Sequence, residues 1–396
     1  MFGGKKKNML EAKLKDAIKK TLEERRDCYY KVVSQHSSSA IQSHSIWKSG
    51  ILKLISKDDR VFWINPNDRF EMFRDVKELF SSVIVKNATV YRGFCNAHDT
   101  NLFKGIEKDE IYVEGLIQKF LYSYRAFSHQ HVQDTLSIET YELFEKEATK
   151  LFGIKQLNGK EIMAIRNMIK QIKERTERGK RIFDKTSKEF HSIFRLIEEN
   201  KDYTSELNEK FILRSYKINK KIECACSGIS DPFLDTKGNK IIRNNTGFLF
   251  INLFPKDEDS SYFIVGLMRD DEKSYLDIIN FLDQEYKNYE LGTDNIFLLA
   301  VQNLVVNGSE NIVLSPGRYC KMKEDNSLNN LVNQFKGSVS LDIGELKFYQ
   351  DIKKIMVLLY LINKREFIFT IIHLRETVSQ VIVKWKVELN VEYSEW

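Results

Sequence analysis

The chain has 396 residues, of which 42% are hydrophobic and 30% charged, and its formal net charge is +6. This composition is that of an ordinary soluble globular protein with room for two or three domains. Five cysteines, an odd number, do not form the disulfide framework of a small secreted protein, so we expect reduced thiols in a cytoplasmic protein. The apolar runs are shorter than the roughly 20 residues that span a bilayer, and the lysine-containing N-terminus lacks the apolar core of a signal peptide. We therefore expect no membrane span and no secretion signal.

Residues 1–27 are expected to form a basic amphipathic helix, because Leu10, Leu14, Ile18 and Leu22 recur at helical spacing between lysines. Residues 28–125 form a second expected unit, in which short strand-like pieces such as "RVFWI" and "ATVYRGF" alternate with turns. Most of the histidines lie in or near this unit, between positions 36 and 131.

Residues 126–215 are expected to form a helical spine. Apolar residues recur at a/d spacing from Ile162 to Ile197, which predicts a long helix packed along its length against another, with a kink near Thr176 and Gly179. Residues 216–396 predict a mixed α+β domain: "GFLFINLF" and "SYFIVGLM" form a hairpin, and helices follow at about 271–289, at "NIFLLAVQNLVV" and near 345–363. The fold class predicted for the whole chain is α+β.

Charge is distributed unevenly along the chain. Residues 1–60 hold 14 basic and 7 acidic residues, residues 155–188 hold 11 and 4, and residues 250–310 hold 4 and 12. Clustered Lys and Arg bind phosphates by releasing counterions, so the basic regions predict a polyanionic partner such as nucleic acid. Solvated helix faces explain the second basic region equally well. The acidic region predicts contact with a protein partner.

Several enzyme classes lack their motifs here. Neither a P-loop nor a dinucleotide-binding glycine pattern occurs, and no Gly-x-Ser-x-Gly elbow accompanies the serine of "VLSPGRYC". Cys224 and Cys226 could join Cys320 around a metal, although small buried thiols are the commoner explanation. His129 and His131 are interpreted as a surface pair at a helix end.

The clearest candidate for chemistry is a zinc site. Zinc sites in proteins usually take four Cys and His ligands, supplied as two short-spaced pairs. Cys95 and His98 form a C-x2-H step at the start of an expected helix, so both side chains can face one ion. Cys28 and His36, upstream in the same unit, are the best second pair.

Two short motifs carry a family resemblance. "SHSI", from Ser43 to Ile46, and "GFCNAHDTNLF", from Gly93 to Phe103, resemble the HNH endonucleases, also called ββα-metal nucleases, whose zinc unit is a treble clef. The likeness is to an uncharacterised bacterial type with the pattern SH-x-I and GFC-x2-HD-x2-LF, and it covers residues 28 to about 125.

The resemblance implies a set of roles. Zinc would be held by Cys28, His36, Cys95 and His98; His44 would be the general base, and Asp99 would face a catalytic Mg²⁺ or Mn²⁺ ion. The asparagine that orients the base in this family would be Asn65, Asn67 or Asn87. Ser43 stands where the family usually has an acidic residue or a histidine, and His36 stands where a cysteine is usual.

Two functions follow from these observations. The first is a bacterial, cytoplasmic, metal-dependent endonuclease acting on DNA or RNA, which by analogy with similar architectures would serve in antiviral defence. The alternative is a non-catalytic, zinc-stabilised protein that binds nucleic acid or a partner, and Ser43 favours it. In both cases the expected phosphate-binding residues are Lys5, Lys6, Lys7, Arg25, Arg26, Lys48 and Arg92.

Overall fold

The structure is a computed structural model that describes residues 9–10, 12–13, 16–17, 19–21, 27–33, 39–64, 80–107, 115–153, 157–232, 247–293, 295–309 and 311–325. At 31–32, 137–138, 151–153, 164, 168, 171–178 and 307–308 it describes the backbone alone. The helix expected near 345–363 and the apolar runs "FIFTIIHL" and "VSQVIVKW" lie outside the described residues.

The described helices are α1 (within residues 9–21), α2 (Lys53–Ile55), α3 (Asn96–Phe103), α4 (Leu116–Gly153), α5 (Gly159–Glu198), α6 (Thr204–Lys210), α7 (Glu272–Glu290), α8 (Ile296–Gly308) and α9 (Pro316–Glu324). The strands are β1 (Gln42–His44), β2 (Arg60–Ile64), β3 (Phe80–Ile84), β4 (Val90–Arg92), β5 (Phe211–Ile218), β6 (Cys224–Ser230), β7 (Leu249–Pro255), β8 (Ser261–Met268) and β9 (Ile312–Leu314). A mixed α+β protein was expected, and this class is confirmed.

Seven strands form one sheet in the order β3-β2-β9-β6-β7-β8-β5, and every neighbouring pair is antiparallel. The expected β7–β8 hairpin pairs Phe250 with Gly266. Strand β2 comes from the expected unit 28–125, yet it pairs with β9, where Phe62 lies opposite Leu314. The sheet therefore joins the expected segments 28–125 and 216–396, and β5 crosses the expected boundary between residues 215 and 216.

Both faces of the sheet are covered, because β7 and β8 are apolar on both sides. In β7, Phe250 and Phe254 face a core shared with α4 and α5, while Ile251 and Leu253 face a second core beneath α7 and α8. This alternation follows from the period of two along a strand. Each fully buried side chain of this size contributes about 1.5–3 kcal/mol.

Helices α4 and α5 are the spine that the heptad pattern predicts. Ile165, Phe183 and Phe190 are buried at the expected positions, and α5 runs as one helix through Gly179. A capping box between Asn158 and Glu161 starts α5 by satisfying free amides at its N-terminus.

The far end of the helix pair packs against α1 in a separate small core that includes Leu10, Ala17 and Phe144. In the described part of the chain, no helix combines the length and apolar character that a membrane span requires.

Candidate metal centre and adjoining site

Cys95 and His98 lie where strand β4 turns into helix α3. Cys95 has extended backbone angles and is the N-cap of the helix, and His98 lies in the first turn. The preceding Gly93 is required by close packing, because a Cβ there would lie 2.3 Å from the ring of Tyr91. The C-x2-H step therefore starts a helix, as the sequence predicted, and both side chains are buried.

Cys28 reaches the same place through backbone pairing. It precedes a 3-10 turn, Tyr29–Val32, and the amide of Tyr29 donates to the carbonyl of Gly93 at 2.7 Å. The amide of Cys95 donates to Cys28 Sγ at 3.2 Å. These two bonds hold the first cysteine against the turn that carries the second.

The three side chains have the spacing of metal ligands. His98 Nδ1 lies 3.2 Å from Cys28 Sγ and 3.4 Å from Cys95 Sγ, and all three ligand atoms lie within 4.8 Å of one another. Tetrahedral zinc, with bonds of about 2.3 Å to sulfur and 2.0–2.1 Å to nitrogen, places its S and N ligands roughly 3.5 Å apart. The group could therefore hold a metal ion.

Burial raises the pKa of the Cys28 thiol, and the charge of the adjacent Cys95 adds to that rise against the lowering effect of backbone hydrogen bonds from Cys95 and Tyr30. A bound cation reverses this balance, because a coordinating thiol is deprotonated. A bound metal ion would therefore stabilise these two buried thiols in their deprotonated form beside the imidazole. His36, the expected fourth ligand, lies outside the described residues and stays a prediction.

The remaining cysteines do not extend this centre. Among the described residues, Cys28, Cys95 and His98 are the group that metal-ligand geometry selects. Burial raises the pKa of Cys224 to about 11 and that of Cys226 to about 12. The side chain of Cys226 lies in the second core beneath α8, which agrees with the interpretation of a small buried thiol.

The expected base, His44, lies on β1, which pairs antiparallel with β4. The carbonyl oxygen of Ala88 lies 2.9 Å from His44 Nδ1, so this nitrogen donates a proton and Nε2 is left as the acceptor. Burial lowers the pKa of His44, and the positive charges of Lys48 and Arg125 lower it further against the opposing hydrogen bond. The imidazole is therefore neutral near pH 7.

A backbone carbonyl next to Asn87, that of Ala88, thus holds the His44 imidazole. Asn87 ends a 3-10 turn, is exposed, and is the residue immediately before Ala88. Asn65 and Asn67, the other two candidates for the orienting asparagine, lie outside the described residues. In the structure, the contact that orients the His44 imidazole therefore comes from the main chain of the turn before β4 and from no described asparagine side chain.

Asp99 lies next to Ser43, one position before the base. Burial raises the pKa of the Asp99 carboxyl, and the Arg125 guanidinium and the Ser43 hydroxyl oppose that rise. Asp99 Oδ1 and Ser43 Oγ are both buried, and neither makes a regular hydrogen bond within the described chain. The Ser43 hydroxyl is nevertheless close enough to Asp99 to lower the carboxyl pKa as a hydrogen-bond donor, so the two oxygens form a buried polar pair with room in their hydrogen bonding for water or a cation.

Arg125, on α4, is a site residue that the sequence analysis missed. Its side chain is 1% exposed, forms an ion pair with Glu107 at 2.5 Å and stacks over the ring of Phe103 at 4.0 Å. Its Nε and Nη1 atoms have no hydrogen-bond partner among the described residues. The signal in the sequence was an arginine inside the apolar stretch "FLYSYRAF", because such a charge is rarely buried without a partner.

The interpretation of His129 and His131 as a surface pair at a helix end is wrong. Both lie within the long helix α4, and His129 is fully buried. His131 Nδ1 lies 2.7 Å from the hydroxyl of Tyr29. Residues 120–129 of α4 are buried all round because they pack between the sheet, α5 and the turns that carry Cys28 and Cys95.

Two of the expected phosphate-binding residues are described. Lys48 is exposed just after β1, and Arg92 is half-buried on β4 opposite Gln42. The other five, Lys5, Lys6, Lys7, Arg25 and Arg26, lie outside the described residues.

Comparison with family models, with curated proteins and with solved structures found no match to this chain.

Proposed function

We propose that this protein is a metal-dependent endonuclease that hydrolyses phosphodiester bonds in a zinc-stabilised ββα unit. The observation that carries the proposal is the sequence of elements: ribbon β1–β4 runs directly into α3. This one unit holds the base His44, the metal-binding pair Cys95 and His98, and the carboxylate Asp99. Residues 45–89 are an insertion between the two ribbon strands, and they supply β2 and β3 to the large sheet.

The proposed base has the required protonation state and tautomer. A general base must be neutral at the working pH and must direct an unprotonated nitrogen at the attacking water. His44 donates from Nδ1 to Ala88, so Nε2 accepts the proton. Its lowered pKa keeps it neutral near pH 7.

Asp99 and Ser43 fit a catalytic divalent cation. Mg²⁺ sites in nucleases commonly use one or two carboxylates together with substrate phosphate oxygens and water. Asp99 Oδ1 and Ser43 Oγ, which are buried next to each other, would supply such oxygens. The ion would stabilise negative charge on the scissile phosphate. The Arg125 guanidinium, which lowers the pKa of Asp99 through its charge, would add to that stabilisation.

Zinc is the metal proposed for Cys28, Cys95 and His98. Thiolate and imidazole ligands favour zinc over the hard cations Mg²⁺ and Ca²⁺. Because Cys28 is far from the other two ligands in the chain, the ion would tie the start of the unit to the turn before α3. We propose His36 as the fourth ligand on the sequence evidence alone.

A second candidate, a zinc-stabilised protein that binds nucleic acid or a partner without cutting, is favoured by one observation. Ser43 offers a hydroxyl where an acidic or imidazole ligand is usual, and the Arg125 guanidinium near Asp99 competes with a divalent cation for that carboxylate. A role in antiviral defence and a protein partner at the acidic region 250–310 stay predictions.

Incubation of supercoiled plasmid and of structured RNA with Mg²⁺ or Mn²⁺ separates the two candidates. The enzyme proposal predicts cutting by the wild type and its loss in His44→Ala and Asp99→Asn, with zinc content unchanged. Asp58→Asn is the matched control, because Asp58 is exposed and its positive φ of 52° suits asparagine. Salt-dependent binding without cutting by any form would support the second candidate instead.

A further inference from the structure

Helix α5 carries a row of basic side chains along one face. Arg166, Lys180, Arg181, Lys188 and Arg195 are all exposed, and none makes an ion pair with another described residue. At about 100° per residue these five positions fall within a sector of roughly 100° around the helix axis. With a rise of about 1.5 Å per residue, the row extends roughly 43 Å. We call these five residues the basic row.

The neighbouring side of α5 is tied to the rest of the protein by its own charges. Lys185 pairs with Asp270 at 2.7 Å, and Glu189 pairs with Lys210 at 2.6 Å. Three described acidic residues share the sector of the basic row: Asp184 near its middle, and Glu198 and Glu199 at the C-terminal end of the helix. Glu198 accepts a hydrogen bond from Tyr30, and Glu199 pairs with Lys201 at 2.6 Å. Among the described residues, the five cations of the row therefore have no ion-pair partner, and their charge is open to a polyanion.

The basic row leads to the metal centre. Near the C-terminal end of α5, the hydroxyl of Tyr29 donates to Ser187 and the hydroxyl of Tyr30 donates to Glu198, at 3.2 and 3.1 Å. Ser187 and Glu198 lie on the edge of the same helix sector. The ring of Tyr30 also packs on His98, with centroids 4.8 Å apart. A long ligand bound along the basic row would thus reach the unit formed by β1, β4 and α3.

The shape and chemistry of the row fit a duplex. The roughly 43 Å that the row spans along the helix axis is slightly more than one turn of double-stranded DNA, which repeats every 34–36 Å or so, and four of its five residues lie in the last roughly 22 Å, from Lys180 to Arg195. A small anion needs only a local cluster of cations. Single strands are usually gripped by exposed aromatic side chains, whereas the aromatic residues described on α5, such as Phe183 and Phe190, are buried.

We propose that the basic row binds the phosphate backbone of double-stranded nucleic acid and directs the duplex toward His44. The proposal rests on the proposed function for the reaction that follows, but binding itself needs no cleavage. It narrows the charge-based expectation for residues 155–188 to four named side chains on one face of α5, and it extends that expectation to Arg195.

The test uses the full chain with His44→Ala, so that the nucleic acid stays intact. The triple variant Arg181→Gln, Lys188→Gln and Arg195→Gln removes part of the row while keeping good helix formers. Binding to a labelled 24-bp duplex is measured by anisotropy across salt concentrations. Each lost phosphate contact lowers the slope of log K against log salt by about 0.9, so three lower it by about 2.7 and weaken binding at 0.1 M salt more than about tenfold.

A matched control removes the same charge elsewhere. Lys217, Lys321 and Lys323 are exposed, and α9, which carries the last two, packs on the opposite face of the sheet from α5. Changing all three to Gln should leave the slope unchanged. An unchanged slope in the row variant, an equal loss in the control, or tighter binding of a single strand than of the duplex would each overturn the proposal.

Failure of this proposal is distinguishable from failure of the proposed function. If the wild type cuts plasmid and the row variant binds the duplex normally, the proposed role of the basic row is refuted and the proposed endonuclease activity stands. If the row variant loses duplex binding and the wild type cuts nothing, the proposed role of the basic row is supported and the proposed endonuclease activity is refuted. Equal circular dichroism and zinc content in the variants show that the fold is kept.

Discussion

Replacing Glu107 with Gln should destabilise the protein far more than replacing Asp59 with Asn, although each carboxylate lies 2.5 Å from its cation. The pairs differ in burial: the side chains of Arg125 and Glu107 are 1% and 27% exposed, whereas those of Lys53 and Asp59 are 54% and 52% exposed. Water and salt screen the second pair, so its loss costs about 0–1 kcal/mol.

The buried pair cannot be screened in this way. In Glu107→Gln the guanidinium of Arg125 loses its paired charge and keeps, among the described residues, the neutral amide oxygen at position 107, the ring of Phe103 and the nearby charge of Asp99. Breaking a fully buried pair costs about 3–5 kcal/mol. Because Glu107 is about a quarter exposed, we expect a loss nearer 2–3 kcal/mol in the free energy of unfolding.

A double-mutant cycle isolates the interaction. Arg125→Met, Glu107→Gln and the double variant are unfolded in urea and followed by the fluorescence of the buried Trp47 and Trp63. We expect a coupling energy of about 2 kcal/mol.

The control cycle uses Lys53→Met and Asp59→Asn, which should give less than about 1 kcal/mol. Equal coupling energies in the two cycles would refute the claim that burial sets the strength of the Arg125 pair.

Three further predictions concern single residues. If His44 is the base, the cutting rate should rise with pH through a midpoint below 6.5, because burial lowers the pKa of this imidazole; a midpoint above 6.5 would contradict this role. Burial lowers the pKa of His191 from 6.5 to about 4. The free energy of unfolding should therefore be highest above pH 6.5, and it should fall by up to about 3 kcal/mol as the pH drops from 6.5 toward 4, because the unfolded chain takes up the proton first. In urea unfolding, the His191→Gln variant should lose this pH dependence of the free energy of unfolding. An unchanged pH dependence would exclude His191 as its source. Gly93→Ala should lower the free energy of unfolding by about 1–3 kcal/mol, because the new Cβ lies 2.3 Å from the Tyr91 ring. Gly159→Ala, with nothing within 4 Å, should be neutral or slightly stabilising, and equal effects at the two glycines would contradict the packing argument.

The ligands of the candidate centre could be predicted because their chemistry is carried by residue type and short spacing. Cys95 and His98 are three positions apart at the start of a helix, so local structure alone aligns them. Cys28 was found by its residue type, and its position depends on the backbone pairing of Tyr29 with Gly93. That pairing is a contact between distant segments, which no local pattern encodes.

The buried charge beside the site escaped prediction for a related reason. Arg125 lies between apolar residues of α4, and its partners come from α3 and the segment after it, so only the folded chain shows that it adjoins Asp99. Strand β2 was recognised as a strand, but its pairing with β9 joins residues about 250 positions apart. The alternation of apolar and polar residues along a strand predicts which side chains lie on each face of the sheet, but it does not predict which strands are its neighbours.

X-ray absorption at the zinc edge, with the metal content of the purified protein, tests the central claim that Cys28, Cys95 and His98 bind one ion. The account predicts one zinc per chain with a sulfur shell near about 2.3 Å and a nitrogen shell near about 2.0–2.1 Å. Cys95→Ser should lose the metal, while Cys320→Ser, at an exposed thiol, should keep it. A protein that holds no zinc, or zinc whose ligand shell lacks sulfur, would contradict the account.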